Sequence, residues 1–555
     1  MSTGTVKAFP KNTAMDKAGV EEDENLRAKI KSRRTNEIII GVCGAVGCNL
    51  HDVVSELKEQ FGSFSYEVHL VKISSIIKEY FIKNTPPAAY LGKISTIESL
   101  SLSDRYQTLQ DLGNFIRNNL GDDALAVQAV KLISTERRIS MNASGDAVPP
   151  RAIYIVDQLK HPAEVELFRL VYRNAFFLVG VMSPQSARLE YLQAEGLNSV
   201  EAQKLIERDR RDNVDHGQQL EKTVHKADFF VKHTLTNSVN ITKPCKRFVG
   251  LVHGENGITP TRDEAGMYAA YSASLKSACL SRQVGASITD VEGNVLSVGW
   301  NDVPAAGGGL YNSDSEQDQR CVHHGKKCYN DDTKRRLASD IVAMLSKARP
   351  VLAEQKSIDP STVEKNVSSA KDREPVLFST EQAAELAKNI LEHTALGSII
   401  EYSRAIHAEM EAILNIARGG AASTSKSIMY TTTYPCHNCA RHIIASGISR
   451  VVYIEPYEKS LAMKLHADAI STDGKVVGKV IFENFEGVSP TRYTTLFSFN
   501  NRRKNDAGAA VRFLHKKEAS PVAHEYLDSY LDVESKVVLR AAKDSGEDVD
   551  DPIGN

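Results

Sequence analysis

The feature that most constrains this chain is a pair of short motifs that together offer three zinc ligands. The stretch "RAIHAEMEAIL" contains His407 and Glu409, and the stretch "TTTYPCHNCARHI" contains Cys436 and Cys439. A catalytic zinc site commonly takes three imidazole and thiolate ligands and keeps a fourth position for water. A zinc ribbon would need a second Cys-x-x-Cys or His pair at a matching distance, which the sequence lacks. We therefore predict that the fold brings His407, Cys436 and Cys439 together around Zn²⁺.

The remaining acidic residue of the first motif, Glu409, is predicted to carry protons. His-x-Glu followed by Pro-Cys-x-x-Cys is the pattern of the zinc nucleobase deaminases. A positioned carboxylate can serve there as general acid and base. Pro435 suits the first turn of a helix, whose positive N-terminal dipole favours the thiolates of Cys436 and Cys439.

The sequence upstream narrows the kind of deaminase. The stretch "SRQVGASITDVEGNVLSVGWNDVP" predicts a hairpin and a turn, and it resembles the opening of the deoxycytidylate deaminases. The resemblance implies a cytidine-deaminase-like α/β/α domain in which Asn301 contacts the sugar and Tyr453 lines the pocket. It also suggests Arg282 as a phosphate contact, although a solvated arginine at a helix end is an equal alternative. Trp300 and Asp302 depart from the usual Tyr and Gly of this turn.

A second cluster of metal-ligand residues lies in "RCVHHGKKCYND". Deaminases of this type can carry a structural zinc near Cys279. Together with Cys321, Cys328 and one histidine, for which we take His324, this cysteine would complete a closed tetrahedral site. The alternative is an exposed polar loop with free thiols.

Near the N-terminus, "EIIIGVCGAVGCNLHDVV" predicts a buried strand, a glycine turn and a helix. The stretch resembles the phosphate-binding loop of small P-loop kinases, with Gly44 and Gly47 aligned on its glycines. Leu50 and His51 replace the lysine and the Ser/Thr that meet phosphate and Mg²⁺. Downstream, "RAIYIVDQLKHPAEVELF" and "IERDRRDN" resemble the second strand and the arginine-rich lid of the same kinases, which implies an active-site aspartate at Asp157. We expect phosphoryl transfer to be impaired, while backbone N–H groups can still hold a regulatory nucleotide.

The order of predicted elements gives an α/β fold in two parts. Strands alternate with helices from residue 36 onward, which predicts a parallel sheet. We assign residues by domain as follows: 1–35 disordered, 36–250 P-loop kinase-like, 251–500 zinc deaminase with an insertion at 306–403, and 501–555 a C-terminal extension with a disordered end.

Composition excludes several classes of protein. The chain has 555 residues, a net charge of −2 and 42% hydrophobic residues, which is ordinary globular composition. Its N-terminal sequence has no apolar export signal, and no apolar run is long enough to span a membrane. Eight cysteines in such a chain favour metal or redox roles over a disulfide framework. We expect a cytoplasmic protein without membrane contact.

Taken as a whole, the chain resembles the bacterial anti-phage dCTP/dCMP deaminases, in which a degenerate P-loop domain is fused to a deoxycytidylate-deaminase-type domain. The resemblance implies that free deoxycytidine nucleotides are converted to deoxyuridine nucleotides, which depletes a pool that a phage needs. It also implies control through the N-terminal domain and an inhibitory small noncoding RNA. The long insertion suggests a homo-oligomer.

Several alternatives stay open at this point. The chain can be a housekeeping dCMP deaminase that feeds dTTP synthesis. It can also be a polynucleotide deaminase acting on tRNA or single-stranded DNA, which would favour a basic, aromatic-lined groove. A sensor with an inert deaminase half is disfavoured because all four core residues of the deaminase motif are present. An active deoxynucleotide kinase is disfavoured by the missing P-loop lysine.

Overall fold

The chain forms two compact units in the computed structural model. The first unit combines Met1–Glu264 with Asn484–Asn555, and the second is Ala265–Glu483. The sequence-based boundaries after residues 250 and 500 stay predictions. The disorder predicted for 1–35 and for the end of 501–555 falls largely on residues outside the described set. The structure describes residues 28, 30–144, 151–210, 219–233, 241–353, 378–420, 422–457, 460–474, 476–498, 502–512, 519–523 and 525–546.

The strands and helices are numbered in chain order. The strands are β1 (Ile38–Gly44), β2 (Glu67–Lys72), β3 (Ala152–Asp157), β4 (Phe176–Met182), β5 (Phe229–Lys232), β6 (Gly285–Thr289), β7 (Val295–Trp300), β8 (Ile428–Thr433), β9 (Arg450–Glu455), β10 (Ile470–Ser471), β11 (Val480–Asn484) and β12 (Gly487–Val488). The helices of the first unit are α1 (Leu50–Gly62), α2 (Ile73–Lys83), α3 (Leu102–Leu120), α4 (Ala124–Ser144), α5 (Pro162–Tyr172), α6 (Gln185–Ala194), α7 (Ser199–Arg210), α8 (Leu220–Val224), α9 (Thr242–Val252), α16 (Tyr493–Phe497) and α17 (Leu527–Asp544). The remaining helices are α10 (Arg262–Ser274), α11 (Tyr329–Ala353), α12 (Thr380–His393), α13 (Ala408–Gly419), α14 (His437–Ala445) and α15 (Ala462–Leu465).

The sheet of the first unit has the order β12-β5-β4-β1-β3-β2 over the described residues. Strands β1 to β5 pair in parallel, and β12 adds an antiparallel edge. Every residue of β1 is buried, as expected for a parallel strand covered by helices on both faces. The predicted parallel sheet is confirmed.

The strand order reverses the direction of the chain connections between β1 and β4. These strands are neighbours, but β1 leads to β2 on one side and β4 leads to β5 on the other. Such a reversal in a doubly wound sheet leaves room for a ligand. The glycine turn that follows β1 lies at this point.

The C-terminal helix α17 is an integral part of the first unit, because its polar groups complete a buried network. Arg137 on α4 is buried and donates through Nε to Glu37 at 2.8 Å, and it also pairs with Glu534 on α17. The backbone N–H of Thr35 donates to the carbonyl of Glu525 at 3.1 Å. The segments 35–37 and 525–534 therefore contribute to one buried network.

The second unit has the sheet order β10-β11-β9-β8-β6-β7 over the described residues. Strands β6 and β7 form the predicted antiparallel hairpin, β6 also pairs antiparallel with β8, and β8 pairs parallel with β9. Helix α13 packs on β7 at Gly299, where an added Cβ would lie 2.3 Å from the carbonyl oxygen of Ala408. Only glycine permits this approach, which fixes the start of α13.

The predicted insertion 306–403 contains α11 and α12, and its residues 354–377 lie outside the described set. Across the residues that the structure describes, every helix is too short or too polar to cross a lipid bilayer.

Candidate metal centre and nucleotide sites

Two helix starts position the three predicted zinc ligands. His407 is the N-cap of α13, and Cys436 is the N-cap of α14. Ser297 on β7 anchors α13 by donating through Oγ to the carbonyl of Ala412 at 2.8 Å. Pro435 lies just before the N-cap instead of in the first helical turn, since the Cys436 thiol itself takes the capping position.

The three ligand side chains converge on one point. His407 Nδ1 lies 3.3 Å from the Sγ atoms of both Cys436 and Cys439. The three ligand atoms all lie within 4.8 Å of one another, and no other such group of three appears among the described residues. One imidazole and two thiols in this geometry suit tetrahedral Zn²⁺ with its fourth position open.

The electrostatics of this group support metal binding and proton transfer. Hydrogen bonds from Cys439 and His407 lower the pKa of the Cys436 thiol to about 4, so it is a thiolate at neutral pH. Glu409 is 4% exposed, and burial raises the pKa of its carboxyl group to about 6. A carboxyl group whose pKa lies close to neutral pH can both accept and return a proton.

The turn after β7 is held against the start of α13. Asn301 accepts from the backbone N–H of Val284 at 2.7 Å and donates to the carbonyl of Arg282 at 2.9 Å. The carbonyl of Asp302 accepts from Ile406, the residue before His407, at 3.0 Å. Asn301 still has one N–H and one lone pair for a ligand.

The Asp302 side chain explains one departure from the usual turn sequence. Its carboxylate is buried and accepts from the backbone N–H groups of Ala278 and Val303, each at 2.9 Å. A glycine would leave these donors without this partner, so Asp302 shapes the turn. The sequence pattern did not indicate this role.

The predicted pocket residues lie on and beside β9. Tyr453 is partly buried and meets Tyr434 edge to face, with ring centroids 4.8 Å apart. The hydroxyl group of Tyr434 is buried without a hydrogen-bond partner. Arg282 is half exposed, with Nη1 lying 3.3 Å from Glu455. Sequence reasoning missed Tyr434 and Glu455, although Tyr434 directly precedes the Pro-Cys motif.

Comparison with known proteins places this site in a family. The sequence model described as "Cytidine and deoxycytidylate deaminase zinc-binding region" matches residues 260–455. The deoxycytidylate deaminase of Enterobacteria phage T2 is 31% identical over 191 residues, which cover 34% of this chain and 78% of the phage protein. The chain belongs to the deoxycytidylate deaminase family. Its counterpart from Enterobacteria phage T4 is 31% identical over 191 residues, covering 34% of this chain and 76% of that protein.

Membership of the deoxycytidylate deaminase family confirms the predicted hydrolase and the predicted Zn²⁺. A solved dCMP deaminase from the cyanophage S-TIM5, in complex with dCMP and dUMP, aligns with 41% of this chain and 100% of its own. The alignment has 18% sequence identity and a TM-score of 0.21.

The candidate residues for a second zinc in this deaminase-family chain do not form a comparable group. No three of Cys279, Cys321, His324 and Cys328, all of which the structure describes, bring their ligand atoms within 4.8 Å of one another. Burial raises the pKa of the Cys321 thiol, and Cys279 and Cys328 raise it further. His324 is exposed, and its ring stacks on Tyr329 with the ring centroids 6.4 Å apart. The closed second site stays a prediction.

The glycine turn of the first unit is closely packed, and its phosphate-loop character stays a prediction. Gly47 has φ +86°, and a Cβ there would lie 2.7 Å from the carbonyl oxygen of Arg188. At Gly44, a Cβ would lie 2.7 Å from Leu50, which is buried in the core where a P-loop would carry lysine. Asp157 ends β3 beside β1, with a buried Oδ1 that has no hydrogen-bond partner. Burial raises the pKa of this carboxyl group.

Proposed function

We propose that the chain hydrolyses the exocyclic amino group of free deoxycytidine nucleotides, dCMP or dCTP, and releases deoxyuridine nucleotides and ammonia. The observation that carries this proposal is the buried Glu409 carboxyl group, two residues from His407 in the converging His407, Cys436 and Cys439 group. The region that carries it is the one that matches the deoxycytidylate deaminase family. The phage relatives are deoxycytidylate deaminases, which supports the same substrate class.

The reaction requires proton transfers that Glu409 is placed to perform. When bound by His407, Cys436 and Cys439, Zn²⁺ supplies a coordinated water whose pKa falls toward ~7. Glu409 accepts a proton from the attacking water and delivers it to N3 of the cytosine ring. It then passes the second proton to the amino group on C4. As the C4–O bond replaces the C4–N bond, ammonia leaves and uracil remains.

Residues around the turn and β9 are proposed to hold the nucleotide. The free N–H of Asn301 is available to a sugar hydroxyl, and Tyr453 with Tyr434 offers an aromatic wall for the base. Arg282 would exchange its exposed pairing with Glu455 for the substrate phosphate. Surface ion pairs of this kind contribute about 0–1 kcal/mol, so the exchange is not costly.

The first unit is proposed to be a P-loop kinase-like regulatory domain that binds a nucleotide without efficient phosphoryl transfer. Its strand order, the glycine turn after β1 and Asp157 at the end of β3 support this assignment. Leu50 has an apolar side chain buried in the core, so it cannot neutralise phosphate.

The cellular role proposed for this pairing of units is anti-phage defence by depletion of deoxycytidine nucleotides. It rests on the resemblance of the whole chain to the anti-phage dCTP/dCMP deaminases. On the same basis we propose an inhibitory small noncoding RNA and a homo-oligomeric state. Cells expressing the chain should resist phage, whereas cells expressing Glu409→Ala should not. Equal protection by the two proteins would contradict the proposal, and a housekeeping deaminase would protect in neither form.

The second, structural zinc is proposed to bind Cys279, Cys321, Cys328 and His324 after local rearrangement. Metal-saturated protein would then contain two zinc ions per chain, and Cys321→Ala would contain one. A single zinc ion in metal-saturated wild-type protein would contradict this site.

The proposed activity is tested with a panel of substrates. Zinc-loaded protein is incubated separately with dCMP, dCTP, CMP, CTP and a deoxycytidine-containing oligonucleotide, and uracil products are separated chromatographically. We expect uracil products from dCMP or dCTP only. Conversion of the oligonucleotide alone would favour a polynucleotide deaminase, and no conversion of any substrate would favour a sensor.

A further inference from the structure

The glycine turn of the first unit already holds an anion, and that anion belongs to the chain. Asp209 on α7 is fully buried and accepts through Oδ2 from the backbone N–H of Val46, at 2.6 Å. Its other oxygen, Oδ1, pairs with the ammonium group of Lys160. One carboxylate therefore bridges a loop amide and a buried cation.

Lys160 is held in place by the framework that follows β3. Its side chain is 9% exposed, and its backbone N–H donates to Glu164 Oε2 at 2.9 Å. Glu164 is itself buried and pairs with Arg117 at 2.7 Å. These contacts fix the backbone of Lys160 independently of α7.

Asp209, by contrast, lies on a helix pair that packs outside the main core of the first unit. Helices α6 and α7 form a hairpin, here called the lid hairpin (Gln185–Arg210). It touches the turn where Arg188 lies against Gly47, and Arg188 Nε is buried without a hydrogen-bond partner. The hairpin packs through a small apolar cluster that is separate from the main core and consists of Val46, Leu192, Leu197, Ala202, Leu205 and Ile206.

The donors at this turn are of the kind that bind phosphate, and the Asp209 carboxylate of the chain itself accepts from them. Backbone N–H groups of a glycine-rich loop, together with a lysine, are the donors that bind nucleotide phosphates. Carboxylate and phosphate oxygens compete for the same charged donors. We propose that Val46 N–H and Lys160 form a phosphate site for a nucleoside triphosphate, and that the ligand displaces Asp209 and opens the lid hairpin.

This inference rests on the proposed regulatory nucleotide and specifies how it is recognised. Lys160 supplies, from the segment after β3, the cation that the turn itself lacks at Leu50. Opening the lid hairpin without a ligand would leave the buried ammonium group unpaired, which is unfavourable. The closed state therefore persists until an anion arrives, and the apparent affinity falls with the fraction of closed protein.

The test measures binding of ATP and of inorganic triphosphate to the full-length, zinc-loaded protein by calorimetry. Asp209→Asn removes the competing charge, so we expect it to bind both ligands about tenfold more tightly than wild type. Lys160→Gln should bind neither ligand measurably. The matched control is Glu207→Gln, which removes one exposed carboxylate from the same helix and should bind as wild type does.

A second measurement keeps the inference falsifiable if Asp209→Asn fails to fold. Hydrogen exchange of wild-type protein should increase over 199–210 when inorganic triphosphate is added, and it should decrease near Val46. Equal affinity of wild type and Asp209→Asn, or protection of 199–210 by the ligand, would overturn the inference.

The outcome is separable from that of the proposed deamination. Conversion of dCMP is followed in the same protein without ATP or triphosphate. If dCMP is converted but the Asp209 and Lys160 variants bind like wild type, only this inference fails. If the variants behave as expected but dCMP is not converted, the deaminase proposal fails instead.

Discussion

The zinc ligands of the second unit and the glycine turn proposed as a phosphate site in the first unit are encoded in opposite ways. His407, Cys436 and Cys439 come from two short motifs whose residues converge directly. The glycine turn is followed by Leu50 and His51 where a phosphate loop would carry lysine and Ser/Thr, and the charges beside it come from Lys160 and Asp209, on separate segments. A local motif is enough to locate the first site. The second is visible only once the chain is folded.

The largest effect is expected at the deaminase site. Glu409→Gln should lower the rate of dCMP or dCTP deamination by about 10²–10⁴-fold, because the proton carrier is lost. Zinc content, measured by atomic absorption, should stay at the wild-type level since Glu409 is not a ligand. Glu385→Gln, which removes an exposed carboxylate from α12, is the matched control and should keep full activity. Wild-type activity in Glu409→Gln would remove this residue from the mechanism.

The first unit should instead respond most strongly in stability. Arg137→Met leaves the buried Glu37 and Glu534 carboxylates without their cation, which should lower the free energy of unfolding by about 3–5 kcal/mol. Urea unfolding followed by circular dichroism measures the change. Arg138→Met, at the exposed neighbouring position, should differ from wild type by less than about 0.5 kcal/mol. Similar losses in both variants would show that the network does not stabilise the unit.

A buried histidine gives the first unit a defined response to pH. Burial lowers the pKa of His253 to about 4, whereas an unfolded histidine titrates near ~6.5. The unfolded chain therefore binds a proton before the folded chain does, so stability is lost as the pH falls from about 6.5 to about 4. Between pH 7 and pH 4.5, the wild-type protein should lose up to about 3 kcal/mol more free energy of unfolding than His253→Gln does. Urea unfolding at the two pH values measures the difference.

The exposed His51→Gln variant controls for the general effect of acid on this unit, including carboxylate protonation. It should show the same dependence on pH as wild type. If His253→Gln shows that dependence too, His253 is not the group responsible.

The smallest effect tests how the second unit places its ligands. Gly299→Ala would press a methyl group against the Ala408 carbonyl at the start of α13, costing about 1–3 kcal/mol. Because His407 is the N-cap of that helix and Glu409 lies in its first turn, zinc affinity should fall as well, which a competing chelator measures. Gly474→Ala is the matched control, as a Cβ there meets nothing within 4 Å. Unchanged zinc affinity in Gly299→Ala would mean that α13 tolerates displacement.

The sequence predicted the parts of the molecule that local patterns encode. The apolar strands, the hairpin of β6 and β7, and the zinc ligands all follow from short-range periodicity or spacing, and the structure has them. Contacts between distant segments could not be predicted this way. The pairing of Lys160 with Asp209 and the docking of α17 on α4 depend on which surfaces meet after folding. The second zinc site stays a prediction for the same reason, because Cys279 lies far along the chain from Cys321, His324 and Cys328.

The contrast between the two sites is tested most directly in a single reaction. Zinc-loaded wild-type protein is mixed with dCMP, ATP and Mg²⁺, and all nucleotides are separated over time. We expect dUMP to accumulate while dCDP and ADP do not, since we place deamination at the zinc site and expect no phosphate transfer at the glycine turn. Accumulation of dCDP and ADP with the cytosine base intact would contradict it.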